Sequence, residues 1–122
     1  MTTYLITSKT DTQSSIGPVT LNTVYSVITV TAQAADYIPE VYLDLSAMQS
    51  ADVTVVTEYL AVDGTNYQIY YQNTYSGVQT FPALRFHGKL IELNMLYKVT
   101  IKQTAGTGRS YPYASILQIF NA

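Results

Sequence analysis

His87 is the only imidazole in a chain that has no cysteine and no tryptophan. A serine hydrolase would need that imidazole as its general base, with a carboxylate to orient it. His87 falls instead in Leu84-Arg85-Phe86-His87-Gly88, on the same strand face as Arg85 and opposite Leu84 and Phe86. A solvent-facing or strand-paired side chain accounts for it. Without cysteine there is no disulfide, no thiolate nucleophile and no thiolate metal ligand. Zinc would want clustered His and Cys. Asp63 and Asn66 have oxygens for calcium, but their spacing fits no EF-hand loop and a turn explains both. Gly106-Thr107-Gly108-Arg109-Ser110 fails as a phosphate loop, because Gln103 stands where the first glycine is required and Arg109 where the lysine is. Glu40, Glu58 and Glu92 sit in separate elements, so nothing pairs carboxylates for glycoside hydrolysis. The expectation is a non-enzyme with no catalytic, cofactor-binding or metal-binding residues and no cofactor.

The residues in excess are the twelve tyrosines. Tyr67, Tyr70, Tyr71 and Tyr75 are closely spaced, with Tyr59 on the preceding run. Simple alternation along one strand points Tyr67 and Tyr71 one way and Tyr70 the other, which puts aromatics on both faces. Tyrosine combines large contact area, low entropic cost and a hydroxyl, a combination that suits interfaces and also sugar-stacking platforms. Packing across strands inside the domain takes part of the set, and the rest reads as contact surface. The N-terminal Tyr4, Leu5 and Ile6 form a second candidate contact segment.

Hydrophobic residues make up 48% of the chain and charged residues only 11%, against a usual charged fraction of about a quarter. The net charge is −2, and the six basic residues form no run. This argues against binding to nucleic acid or to an anionic membrane. So little charge gives a lone monomer weak protection against association, which an assembled protein does not need. Met1–Ile6 lacks a basic stretch followed by a long apolar one, which predicts no secretory signal. The apolar runs fall far short of the ~20 residues that span a bilayer.

Strand is the dominant pattern. Val24–Val30 is dense in β-branched and aromatic residues, and Val41, Leu43 and Leu45 alternate with Tyr42 and Asp44. Asp52–Val62 is a long run that leads through Asp63-Gly64-Thr65-Asn66 into Tyr67–Gln72. An Asp-Gly step between strand formers is a strong hairpin signal. Further strands are expected at Leu84–His87, Tyr97–Thr104 and Tyr113–Phe120, with turns at Asn73–Gly77, Phe81-Pro82, Leu93-Asn94 and Ala105–Gly108. Ala47–Asp52 could form one helical turn. The fold class is therefore all-β, an antiparallel β-sandwich or jelly roll of about seven to nine strands. Residues 18–122 form the sandwich. Residues 1–17 form an N-terminal extended segment or arm, in which Thr2–Lys9 can be a short strand and Thr10–Gly17 a polar linker. That arm is either an ordinary first strand or a strand exchanged between subunits.

Tyr42–Ser46, Glu58–Tyr67, Leu84–His87 and Tyr97–Gly106, within a stretch from Val41 to Tyr113, resemble small β-sandwich structural proteins of virions. These are the capsid decoration and minor capsid proteins of tailed phages and archaeal viruses. The resemblance implies a non-enzymatic subunit that binds a capsid or other virion protein, often as a homo-oligomer such as a dimer or trimer. It implies residence in the virion after assembly in the host cytoplasm. It transfers no binding residues, because no motif maps onto a contact site. Two further readings compete: a carbohydrate-binding β-sandwich module, and a filament subunit joined by N-terminal strand exchange.

Overall fold

The computed structural model describes residues 5–120. Their regular structure is all strand: β1 (Ile6–Ile16), β2 (Tyr25–Val30), β3 (Tyr37–Asp44), β4 (Val53–Ala61), β5 (Gln68–Ser76), β6 (Ala83–Phe86), β7 (Leu96–Ala105) and β8 (Tyr111–Phe120). They form two four-stranded antiparallel sheets, ordered β1-β8-β3-β6 and β2-β7-β4-β5. The pairs β1–β8, β2–β7, β3–β6 and β4–β5 are nested. The first half of the chain thus folds back on the second as one long hairpin, which rolls into a sandwich. Of the two all-β topologies compatible with the strand spacing, this one is the jelly roll.

Alternation sets the core. In β3, Tyr37, Pro39, Val41 and Leu43 are buried, while Ile38, Glu40, Tyr42 and Asp44 face outward. In β7, Tyr97, Val99, Ile101 and Gln103 are buried against them. Tyr37, Tyr97 and Tyr111 are fully enclosed, and their hydroxyls are all bonded, as a dry polar group requires. Tyr37 donates to the Met95 carbonyl at 2.8 Å and Tyr111 to Gln103 Oε1 at 2.8 Å. Burial, reinforced by Tyr67, pushes the Tyr37 pKa up to about 12.

The strand ends depart from the sequence expectation in ways with clear causes. Thr10–Gly17 reads as a polar linker, yet Ile6–Ile16 is one strand, paired with β8 from Ile6 opposite Phe120 to Ile16 opposite Tyr111, with one register shift between Ile6 and Ser8. An edge strand wet on both faces needs no apolar alternation to declare itself. β5 likewise runs on through Asn73–Ser76, a stretch expected to turn. β3 starts at Tyr37, through Pro39, because β6 pairs only with Val41–Asp44. Pro39 therefore has a strand on one side alone and costs no ladder bond there. Ala47–Asp52 forms turns closed by Met48 N–H to Leu45 and Asp52 N–H to Gln49, with no helix.

The expected hairpin joins β4 to β5. Gly64 supplies its positive φ of 77°. Asp63 Oδ1 accepts the Thr65 and Asn66 amides at 2.9 and 2.7 Å, and Asn66 Nδ2 donates to Oδ2 at 2.8 Å. Those bonds, led by the Asn66 amide, hold the Asp63 pKa down at about 2.

The β7–β8 turn is tied to the opposite loop by a buried polar network. Asp52 Oδ2 accepts Arg109 Nε at 2.7 Å and the Gln49 amide at 2.8 Å, and its Oδ1 accepts the Thr107 amide at 3.1 Å. Burial alone would raise the Asp52 pKa, but Arg109 and the two amides outweigh it and keep it below the ordinary value. Gln103 donates to the Ala105 and Thr107 carbonyls and accepts from Tyr111. The Gly106–Ser110 segment that superficially looks like an anion loop is thereby spent on internal bonds.

Candidate functional site

Glu58 lies on the inward face of β4, between Val56 and Leu60 in the alternation. Its side chain is only 4% exposed. A carboxylate there must be paired or it would destabilise the fold. Lys89, in the loop after β6, donates Nζ to Glu58 Oε2 at 2.7 Å and to the His87 carbonyl at 2.8 Å. The Tyr97 hydroxyl also donates to Oε2 in a short hydrogen bond. Burial, and then the carboxylate beside it, push the Tyr97 pKa far above the ordinary phenol value. The Lys89 ammonium stands 5.8 Å from the Tyr70 ring centre and 5.4 Å from that of Tyr97, within cation–π range.

This cluster floors a cleft of about 750 Å³ at the open side of the sandwich, where β5 and β6 are the edges of their sheets. Tyr70, Tyr71, Tyr75 and Phe86 wall it, with Arg85 and His87 at its border. Phe86 packs edge-on against Tyr71 with ring centres 6.3 Å apart. Tyr75, then burial, raise the Tyr71 pKa.

Strict alternation sends Tyr70 away from Tyr71, and the structure corrects this. Glu58 is opposite Tyr71 and Tyr59 is opposite Ile69, so Tyr70 is an extra residue bulged out of β5. A bulge re-aims side chains, and Tyr70 and Tyr71 both line the cleft. Tyr67 leaves the group. It precedes β5 and meets Tyr59 edge-on at 6.1 Å, with Lys98 Nζ at 4.2 Å from its ring centre and 4.9 Å from that of Tyr59. Lys98 is opposite Tyr59 on the outward face of the β2-β7-β4-β5 sheet, far from the Glu58 side. Leu5 and Ile6 are exposed at the start of β1. Tyr4 lies outside the described residues.

Arg85 is committed elsewhere. Its Nε donates to Glu40 Oε1 at 2.6 Å, the Tyr42 hydroxyl donates to the same oxygen at 2.9 Å, and its guanidinium lies 5.7 Å over the Tyr42 ring. Arg85, Tyr42 and Glu40 share the outer face of the other sheet. His87 is exposed, with no carboxylate hydrogen-bonded to its ring among the described residues. Glu40 and Glu58 sit on different sheets and different faces. No three His, Asp or Glu among the described residues gather as metal ligands.

Several contributors are not singled out by the sequence reading. Phe81, treated only as a turn residue, is 84% exposed, and Val78, Leu90 and Ile69 are also largely exposed. They extend apolar surface along β5, through the β5–β6 connection and past β6. Glu58 and Lys89 have no motif that joins them. The one legible sign is an acid at an inward position of an otherwise apolar alternation.

No protein-family model matches the chain, and no curated protein matches it in sequence.

Proposed function

We propose that the protein is a non-enzymatic virion structural subunit, a capsid decoration or minor capsid protein that stabilises a protein lattice. The observation that carries this reading is the character of β5. It is a long edge strand, Gln-Ile-Tyr-Tyr-Gln-Asn-Thr-Tyr-Ser, without a charge or a proline. Edges exposed in monomers are ordinarily blunted by charge, proline or a short length. The bulge at Tyr70 leaves Tyr71–Ser76 in unbroken register, so that half of the edge can take another strand. The exposed Val78 and Phe81 continue the surface, and each large side chain buried against a partner would contribute about 2 kcal/mol.

Charge supports the same reading. Four of the six basic residues are held in ion pairs with carboxylates on the chain itself. Little charge is left to keep copies apart. The jelly roll is a scaffold shared by viral capsid and lectin domains; since fold does not dictate function, the weight rests on the surface. The partner is a capsid or other virion protein, the protein itself acts as a homo-oligomer, and its place is the virion assembled in the host cytoplasm.

Light scattering across a concentration series tests this. A dimer or trimer that survives dilution is expected, with Phe81→Asp and Thr74→Lys shifting it towards monomer while the circular dichroism spectrum stays unchanged. A wild-type chain that remains monomeric at every concentration and does not co-sediment with assembled capsids overturns the proposal.

A further inference from the structure

The cleft between β5 and β6 has a chemistry that lattice binding does not require. Both hydrogen bonds to Glu58 fall on Oε2. No described group donates to Oε1, and among the described residues no fully enclosed side-chain oxygen lacks a partner. Oε1 is therefore open to the cleft, an unpartnered acceptor on a side chain that is itself only 4% exposed. Lys89 supplies the complementary donor. An ammonium has three N–H groups, of which two go to Glu58 and the His87 carbonyl. The third has no hydrogen-bond acceptor among the described residues, on a side chain 24% exposed.

An acceptor and a donor thus stand side by side at the floor of an aromatic-walled cleft. Their charges cancel, and Arg85 at the border is neutralised by Glu40. A cationic ligand would compete with the resident Lys89, which already occupies the position facing Tyr70 and Tyr97. An anionic ligand would meet the open oxygen of Glu58. The site selects a neutral molecule with adjacent hydroxyls and a flat C–H face. One hydroxyl donates to Glu58 Oε1, its neighbour accepts from Lys89 Nζ, and the C–H face lies on tyrosine.

We infer that this cleft binds a neutral saccharide, with Glu58 and Lys89 clasping a pair of neighbouring hydroxyls and Tyr70 and Tyr71 stacking on the ring. The inference goes beyond the lattice-binding reading and stands without it, since the cleft lies within one subunit.

The probe is an array of neutral oligosaccharides built from hexoses and N-acetylhexosamines, followed by NMR titration of any that bind. Saturable shifts of the Tyr70, Tyr71, Phe86 and Lys89 amides are expected. Tyr71→Ala and Lys89→Met should each weaken binding about tenfold or more. Tyr71→Ala touches no buried polar bond, so it keeps the test valid if Lys89→Met fails to fold. Phe81→Asp, outside the cleft, should leave sugar affinity unchanged even where it alters oligomeric state. No saturable response to any neutral sugar, or wild-type affinity in Tyr71→Ala, overturns the inference.

Discussion

Asp52 holds its loop, the β7–β8 turn and Arg109 together with one carboxylate. Its bonds to Gln49, Thr107 and Arg109 leave no space beside Gly106. A Cβ at Gly106 would stand 1.9 Å from Asp52 Oδ1 and 2.8 Å from its Cα, on a backbone with φ +85°. Gly106→Ala must therefore strain a left-handed residue and push apart a buried ion pair. The first costs about 1 kcal/mol and the second up to about 3 kcal/mol. The expected result is a loss of about 3 kcal/mol, read as a lower urea midpoint at unchanged slope. A loss below about 0.5 kcal/mol, the range of ordinary surface substitutions, would show that the clamp gives way easily.

Among the strands, β1 and β5 differ from the others in being wet on nearly every side chain. They are held mainly by ladder bonds to a single neighbour, β8 or β4. β7 and β3 lie inside their sheets and bury one whole face. Local opening follows that difference, because segments with few buried contacts open without global unfolding. In native-state hydrogen exchange, amides of β1 and β5 bonded to β8 and β4 should exchange ahead of those in β7 and β3. Uniform protection across all strands of a monomeric sample would contradict this. Protection of β5 that rises with protein concentration would locate the self-contact on that edge.

For the molecule as a whole, the buried phenols set an alkaline limit. Tyr37, Tyr97 and Tyr111 all have raised pKa values, each mainly through burial, with Tyr37 at about 12. A raised folded value means that the unfolded chain releases its proton first. The stabilisation is full below the unfolded value of 10.0 and is lost as pH rises towards about 12. Urea midpoints should hold steady up to pH about 9 and fall steeply above pH about 10, in step with a cooperative rise of tyrosinate absorbance. Tyrosines that all titrate near pH 10 without any loss of stability would mean that these side chains are not enclosed.

The sequence by itself determined the fold class, because β-branched alternation in Val53–Ala61 and Leu96–Ala105 and the Asp63-Gly64 step are local signals with local causes. It also put forward the tyrosines around position 70 as a candidate contact surface, and of these Tyr70, Tyr71 and Tyr75 line one cleft. Strands that stay wet escaped it in part: Thr10–Ile16 of β1 and the second half of β5 show no apolar period, since they are held mainly by backbone bonds that leave no mark on residue type. The jelly-roll nesting was open as well, because strand order depends on which distant runs share a core. The Glu58–Lys89 pair joins β4 to a loop beyond β6, and the bulge that swings Tyr70 beside Tyr71 depends on how β5 registers against β4. Both are relations between segments, which only tertiary packing decides, since no residue's type or spacing encodes the partner it will meet across the sandwich.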